Sequence, residues 1–431
     1  MKIHTVLIHQ AFAAKDEPGG TRHYELGQRL VADGQQFTVV ASDVSYTTGK
    51  SLVPKKRLVT ESKQDGIRIL RAFTLSALHK SYLSRVLLFL SFMATSVLVG
   101  ARAGRVDVVM GTTPPIFQAI SAWFLAALRR KPFLLEVRDL WPEFAIDIGL
   151  LKNPLLIWIA RRVESFLYRH ADHLLVNSPA YREYLIEKGI DPGKITFIAN
   201  GVDPAMFDPG ERADDFRRQL GLESKFVVTY AGAIGMANDI DVLIDAAALI
   251  QHRSDIQILI VGDGKERKRL EEHAKQLGLD NVLFTGAFPK SQMNQVLAAS
   301  DACVAILRNI RMFRTTYPNK VFDYMAAGRP TILAIDGVIR QVIEAAEGGI
   351  FVPPGDAGLL SAAIVNLADS PERARAMGTK ARAYVIEHFD RNVHARQFTS
   401  LISSVAARNR PNELDAAERP IGNDWSETRR Q

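Results

Sequence analysis

The sequence predicts an α/β protein made of two doubly wound, Rossmann-like domains in tandem. Three observations carry this. Short apolar runs alternate with amphipathic segments throughout, the pattern of parallel strands covered by helices. The pattern breaks in a turn-rich stretch between Asn200 and Gly221 and then restarts. The length, 431 residues, is enough for two full cores.

In the first half the apolar runs predict strands at His4–Ile8, Phe37–Ala41, Ile67–Arg71, Val106–Gly111, Phe133–Val137, His173–Asn177 and Ile195–Ile198. Helices are expected between them at Thr21–Asp33, Tyr82–Ala103, Ile116–Arg129, Leu155–Arg169 and Pro179–Lys188. The second half predicts strands at Phe226–Ala231, Ile256–Val261, Val282–Thr285, Ala302–Ile306, Thr331–Ala334 and Gly349–Phe351. Its helices fall at Ile240–Gln251, Lys265–Leu277, Ser291–Ala298, Asn319–Ala327, Ile339–Ala346 and Ala357–Asp369. Asn200-Gly201, with Pro204, Pro209 and Gly210 close behind, sets the expected domains at 1–205 and 206–390. A last helix over Glu372–Arg408, broken near His388–Arg391, leaves 391–407 able to return to the first domain. Residues 408–431 read as a loose polar tail.

Composition narrows the function. With 47% hydrophobic and 23% charged residues the chain is an ordinary folded protein. Its single cysteine, Cys303, excludes an internal disulfide and a cysteine-rich metal site, and fits a reducing cytoplasm. The apolar run Ile3 to Ile8 is too brief for a secretory signal. Net charge is +7, and all of the excess lies in the first half: residues 1–210 hold 26 Lys and Arg against 19 Asp and Glu, the remainder 28 of each. No acid occurs from Gly66 to Val106, where Arg68, Arg71, Lys80, Arg85, Arg102 and Arg105 stand. That asymmetry points to an anionic partner, nucleic acid or a lipid surface.

The motifs suit a phosphorylated ligand. Pro18-Gly19-Gly20-Thr21 follows the first strand and opens a helix, where glycines admit close approach and free N–H groups meet phosphate. The same residues would also make a plain turn. The segment is neither GxGxxG nor a P-loop. Val261-Gly262-Asp263-Gly264 ends a strand of the second domain, where open α/β sheets bind ligands, although a Gly-Asp-Gly turn needs none. From Tyr317 to Pro330, Pro318 starts a helix and Gly328 with Pro330 stops it. Asn319 and Asp323 share one face, four residues apart. Lys320, at the positive helix end, suits a diphosphate, and Asp323 one turn on suits the two hydroxyls of a ribose. An amphipathic helix with a capped start would give the same spacing.

Five segments in order resemble retaining glycosyltransferase family 4, of the GT-B fold, and most closely its WbuB-like N-acetyl-L-fucosamine transferase subgroup. They are His9-Gln10, Pro18 to Arg22, Glu136-Val137-Arg138-Asp139-Leu140-Trp141-Pro142-Glu143, Asn200 to Asp203, and Pro318 to Pro330. The resemblance implies two Rossmann-like domains facing a central cleft, with the donor held mostly by the second. It implies a nucleotide-sugar donor, most simply UDP-linked, a polyprenyl-diphosphate-linked saccharide acceptor, and no metal or other cofactor. It makes Asp323 the ribose acid. The family's companion acid falls on Thr315 here, and the cations usual after the second domain's first strand are absent from Gly232 to Met236. Lys320 first, and Arg314 second, are the expected replacements at the diphosphate. Arg308 and Arg311 are also available. Gly19, Gly20, Thr21, Gly262, Gly264 and Asn319 complete the expected donor contacts, with Ala287 and Phe288 at the base edge. Asp139 and Glu143, the latter expected to be more exposed, are candidates to orient the acceptor hydroxyl or act as base. A salt bridge from Asp139 to a nearby arginine is an equal alternative. His9, Arg22, His23 and Arg138 are expected on the acceptor side, although a lone histidine is more often structural.

Val86 to Gly100 is almost wholly apolar but shorter than the roughly 20 residues a span requires. With cations on both sides, Tyr82–Ala103 is expected to lie on the inner face of the cell membrane, although a buried core helix reads similarly. Two rivals remain. A nucleotide-sugar 2-epimerase needs the same donor site but not the acid-free apolar stretch. A nucleic-acid-binding protein would use the basic first half, but no stacking aromatic repeat or recognition helix supports it. No nucleic-acid partner is expected.

Overall fold

The computed structural model describes the chain apart from residues 1, 15–16, 18–19, 46–48, 76–81, 212 and 408–431. In the first domain the elements run β1 (His4–Ile8), α1 (Arg22–Ala32), β2 (Gln36–Ser42), β3 (Val59–Gln64), β4 (Ile67–Ala72), α2 (Tyr82–Gly100), β5 (Val108–Thr113) and α3 (Ile116–Arg129). They continue with β6 (Phe133–Val137), α4 (Glu143–Asp147), α5 (Pro154–His170), β7 (His173–Val176), α6 (Pro179–Glu187) and β8 (Ile195–Phe197). The second has α7 (Asp214–Gln219), β9 (Phe226–Ala231), α8 (Ile240–Leu249), β10 (Ile256–Val261), α9 (Arg267–Gln276), β11 (Val282–Gly286), α10 (Met293–Ala298) and β12 (Ala302–Ile306). It ends with α11 (Asn319–Ala326), β13 (Thr331–Ala334), α12 (Val338–Ala345), β14 (Gly349–Phe351), α13 (Ala357–Ala368), α14 (Pro371–Phe389) and α15 (Arg391–Ala406).

The first sheet is ordered β3-β4-β2-β1-β5-β6-β7-β8 and the second β11-β10-β9-β12-β13-β14. All pairings are parallel except β3 with β4. Helices cover both faces, so the central strands are apolar throughout: β1, β5, β6, β10 and β12 are buried along their whole length. Strand order reverses at β1/β5 and at β9/β12. At these two switch points the diverging loops open a crevice beyond the carboxyl ends of the strands.

Some elements differ from expectation. β3 is an antiparallel edge strand turned by Asp65 and Gly66, whose φ values of 48° and 81° are both positive. Its sequence, VTESKQ, is too polar to register as a strand. α4 and α7, of five and six residues, are too short to show a period. The apolar helix ends at Gly100 rather than Ala103.

Asp390 interrupts the last helix by accepting from the Asn392 N–H at 2.7 Å and capping α15. Phe398, Leu401, Ile402 and Val405 of α15 then join Leu7, Leu26 and Leu30 in the first domain's core. A short 3₁₀ turn, Arg311–Thr315, reaches across from the second domain. Its Met312 enters the other core cluster of the first domain, its Phe313 lies 6.0 Å from Phe144, and the Thr315 carbonyl accepts from Ser178 Oγ at 2.5 Å. The two carboxyl edges therefore face each other.

Candidate active site

In the first domain the candidate residues converge on a carboxylate that sequence reasoning did not single out. Glu136, next to last in β6, is fully buried. Arg22 Nε donates to it at 3.0 Å, His23 Nε2 contacts it at 2.5 Å and Thr112 Oγ1 donates at 2.9 Å, while Arg138 Nε stands 3.9 Å away. Burial would raise this carboxyl, but His23, Arg22 and Arg138 together hold it well below the usual range. Arg22 also donates to the carbonyls of Ile198 and Ala199, tying α1 to the end of the first domain.

His9 lies beyond β1 at the switch point. Its Nε2 meets Arg138 Nη2 at 3.3 Å, and its ring stands edge-on to His23 at 4.6 Å. Burial, then His23 and Arg138, push His9 well below its ordinary pKa. Burial also lowers His23, against the pull of Glu136. The Nδ1 atoms of both rings are buried and unpartnered among the described residues. Glu136→Gln would leave a buried cation cluster without its counter-charge. An expected loss of about 3–5 kcal/mol in urea unfolding follows, and a loss under about 1 kcal/mol would show that Glu136 is not the hub.

The two acids of this edge separate. Glu143, expected to be the more exposed, is paired with Arg161, taking its Nε at 2.8 Å and Nη2 at 3.0 Å. Asp139 makes no side-chain hydrogen bond among the described residues, and Arg138 acts on it only by its charge. Burial pushes its carboxyl up to about 6. Burial, and next the charge of Asp139, raise the Tyr181 hydroxyl, which also bonds Thr315 of the 3₁₀ turn. Asp139 therefore lies close to Tyr181, which ties it to the turn reaching over from the second domain.

In the second domain, α11 brings Lys320 to the β9/β12 switch point. Its ammonium bonds Tyr230 Oη at 2.8 Å and Asn238 Oδ1 at 3.4 Å, and lies 4.1 Å from the centroid of the Tyr230 ring. A Cβ on Gly232 would come within 2.8 Å of Nζ, so the ammonium fills the space over the cation-free turn after β9. Burial lowers Lys320 to about 7, and no carboxylate among the described residues pairs with it. Asp323, one turn along, makes no hydrogen bond through its carboxyl among the described residues. Burial raises it to about 6, with Arg391 and Lys290 opposing.

Around Asp323 the domains are clasped. Glu25 of α1 binds Lys290 Nζ at 2.9 Å and Arg391 at 2.5 Å, and takes a bond from Thr21 Oγ1 at 2.6 Å. Lys290 also donates to Thr21 at 2.8 Å. Burial would raise Glu25, but Arg391 and Lys290 bring it below its ordinary value. Glu25, Lys290 and Arg391 were not foreseen. They are separated by hundreds of residues, and only Glu25 falls near a recognised motif.

Other expected donor contacts are placed differently. Gly19 lies outside the described residues. A Cβ on Gly20 would meet no described atom within 4 Å. At Gly262 and Gly264 a Cβ would stand 1.8 Å from the Gly232 carbonyl and 2.1 Å from that of Ile234, so the approach of the neighbouring loop alone already demands glycine at both positions. Phe288 packs its ring on Phe216 at 5.5 Å, leaving the backbone beside exposed Ala287 at the end of β11. Asn319 accepts from Asn200 Nδ2 at 2.6 Å across the domain boundary. Arg314 is exposed, 3.9 Å from Asp336 beyond β13 and 3.5 Å from Asn309 Oδ1.

Residues 19–201 match a model of the glycosyl transferase 4-like domain, and residues 212–384 one of glycosyl transferases group 1. Probable glycosyltransferase WbjE of Pseudomonas aeruginosa is 25% identical over 311 residues, 71% of this chain and 77% of that protein. The putative colanic acid biosynthesis glycosyl transferase WcaI of Escherichia coli (strain K12) is 26% identical over 329 residues, 74% and 79% of the two chains. Among solved structures, sucrose-phosphate synthase from Thermosynechococcus elongatus superposes with a TM-score of 0.74 at 22% identity, over 95% of this chain and 100% of that one. Anabaena HepE in complex with UDP-glucose gives 0.70 at 19%, over 93% and 100%. With a glycosyltransferase domain model on each half and the two-domain architecture of these enzymes, the chain is a glycosyltransferase of the GT-B fold.

Proposed function

We propose that this enzyme transfers a hexosyl residue, with retention, from a UDP-linked sugar to a lipid-linked saccharide in the making of a cell-surface polysaccharide. The reading rests on one observation above all: Lys320 and Asp323, a half-buried cation without an acid and a half-buried acid without a donor among the described residues, stand one turn apart at the switch point. A diphosphate and a ribose supply what each lacks. The printed names of two comparisons agree, colanic acid biosynthesis for WcaI and a UDP-glucose complex for HepE. The WbuB-like subgroup fits the same reading. As the nucleotide leaves, Lys320 and the α11 terminus stabilise the growing charge. Asp139 orients the acceptor hydroxyl from the other wall, with His9, His23 and Arg138 behind it. A thermal-shift screen of UDP-, GDP- and ADP-sugars tests this. A donor at 100 times its Kd adds about 2.7 kcal/mol, and no shift with any of them would falsify the reading.

The first domain is proposed to take the acceptor at the inner membrane face. No described helix is long and apolar enough to cross a membrane. The exposed apolar side chains extend beyond α2 onto two further helices: Leu87, Leu90 and Leu98 of α2, Phe124 and Leu128 of α3, and Leu155, Trp158 and Ile159 of α5. The packing of α2 on α3 and of α3 on α5 joins them. Arg130 and Lys131 follow α3, Lys152 precedes α5 and Arg162 lies within it, cations close in sequence to the exposed apolar side chains, which suits anionic lipid. Vesicles rich in phosphatidylglycerol should retain the protein, phosphatidylcholine vesicles much less. L155S/W158S/I159S should cut retention at least tenfold, and equal retention of wild type and variant would remove this assignment.

A further inference from the structure

The loop joining β12 to α11 carries more positive charge than the donor's diphosphate needs. From Ala302 to Phe322 the chain has Arg308, Arg311, Arg314 and Lys320 and no acid. A diphosphate bridging a nucleoside and a sugar carries two negative charges. Lys320 and the α11 N-terminus face that position, which leaves three arginines over.

Their positions are ordered along the edge of the second sheet. Ala287 and Phe288 come just after β11, Lys290 and Asp323 follow, and Lys320 sits over the turn after β9. Past Lys320, the Arg308 N–H donates to the Ala237 carbonyl at 3.0 Å, and its side chain approaches Asp239 only to 3.9 Å. Arg314 lies further on, toward Asp336 beyond β13, again at 3.9 Å. A donor laid out with its base at β11 and its diphosphate at Lys320 has its sugar beside this loop.

The arginines are also held in place, two of them with only long ion pairs of 3.9 Å and Arg311 with none among the described residues. In a 3₁₀ turn residues three apart eclipse, so Arg311 and Arg314 share one side of Arg311–Thr315. Met312 and Phe313 anchor the turn in the first domain, and Ser178 fixes its last carbonyl. Arg308 and Arg314 remain 44% and 54% exposed, and Arg311 is exposed with no ion pair among the described residues. The Tyr181–Thr315 contact puts the same turn near Asp139. Three anchored, weakly paired guanidinium groups beside the reacting end of the crevice are suited to a second anion, which guanidinium binds in two-pronged fashion.

We propose that Arg308, Arg311 and Arg314 form a subsite for an anionic group on the sugar side of the reaction, either a carboxylate on the transferred sugar or a phosphate of the acceptor. The inference rests on the donor reading above and names the substrate class. Calorimetry on the full chain compares UDP-glucuronate with UDP-glucose, and geranyl diphosphate with geraniol, in wild type and in R308Q/R311Q/R314Q. At least tenfold tighter binding of UDP-glucuronate than of UDP-glucose, with the ratio falling to near one in the variant, would identify a sugar carboxylate. Equal donors, with geranyl diphosphate bound by wild type and lost by the variant, would identify an acceptor phosphate. If UDP-glucose binds and neither anion is preferred or affected by the variant, the subsite is refuted. If no UDP-sugar binds, the donor reading falls separately, and the loop is judged by geranyl diphosphate: unchanged binding in the variant refutes it. Should the triple variant not fold, R311Q alone serves, because Arg311 has no ion pair to lose.

Discussion

Asp323→Asn is expected to weaken donor binding and stabilise the free enzyme at once. The two effects share one cause, burial of a carboxyl that the protein itself leaves without a hydrogen-bond donor. Its pKa moves from 3.8 to about 6 in the folded state. Between those values the folded chain holds a proton that the unfolded chain has released, so stability falls as pH rises through the window. At pH 7.5 the full cost is present, on the order of 3 kcal/mol for a shift of this size, and asparagine removes it. The variant should therefore melt several degrees above wild type at pH 7.5, with the gap narrowing at pH 5 and closing near pH 3.5. Donor affinity moves the other way. A charged acceptor of two ribose hydroxyls is worth about 1.5–3 kcal/mol, or roughly a ten- to hundredfold loss on substitution. A variant less stable than wild type at pH 7.5, or one that binds UDP unchanged, would show that Asp323 serves the fold rather than the nucleotide.

What sequence could disclose follows from distance along the chain. Parallel strands buried on both faces read as continuous apolar runs, so β1, β5, β6, β10 and β12 were visible. The polar edge strand β3 was not, although Asp65-Gly66 is a hairpin signal. Lys320 and Asp323 were visible because a helix turn fixes their relation locally. Glu136 was not, since Arg22, His23 and Thr112 reach it from 114, 113 and 24 residues away. The Glu25 clasp, with partners 265 and 366 residues on, has no local trace at all. Glycines mislead in the opposite direction. Gly262 and Gly264 read equally as a ligand turn or a plain one; the neighbouring loop alone suffices to exclude a Cβ, and sequence cannot tell one close approach from another. Glu143 shows the same ambiguity among acids, because Arg161, its partner, lies on a different helix.

Lys320 should make donor binding fall above pH 7, the mirror image of Asp323. Burial holds its pKa at about 7 in the free enzyme, so above neutrality the site offers a neutral amine where the diphosphate requires an ammonium. The bound diphosphate favours the charged form, and binding at pH 8 must therefore draw a proton from solution. Calorimetry in two buffers of different ionisation enthalpy should report an uptake approaching one proton at pH 8, and a net release at pH 5.5, where Lys320 is already charged and Asp323 must shed its proton to bind. Affinity should drop about tenfold per pH unit above 7. Combined with the ionisation of Asp323 at about 6, this confines tight binding to a narrow range between the two values, provided the nucleotide phosphates and the base do not titrate there. Lys320→Met should abolish the proton uptake, flatten the alkaline limb and reduce kcat by about 10²–10³, the usual cost of one lost charge-stabilising donor. The acidic limb, which belongs to Asp323, should survive in that variant. A donor affinity independent of pH from 6 to 9, with no proton uptake, would mean that the ammonium does not meet the diphosphate. The arginines of the β12–α11 loop would then have to carry both anions.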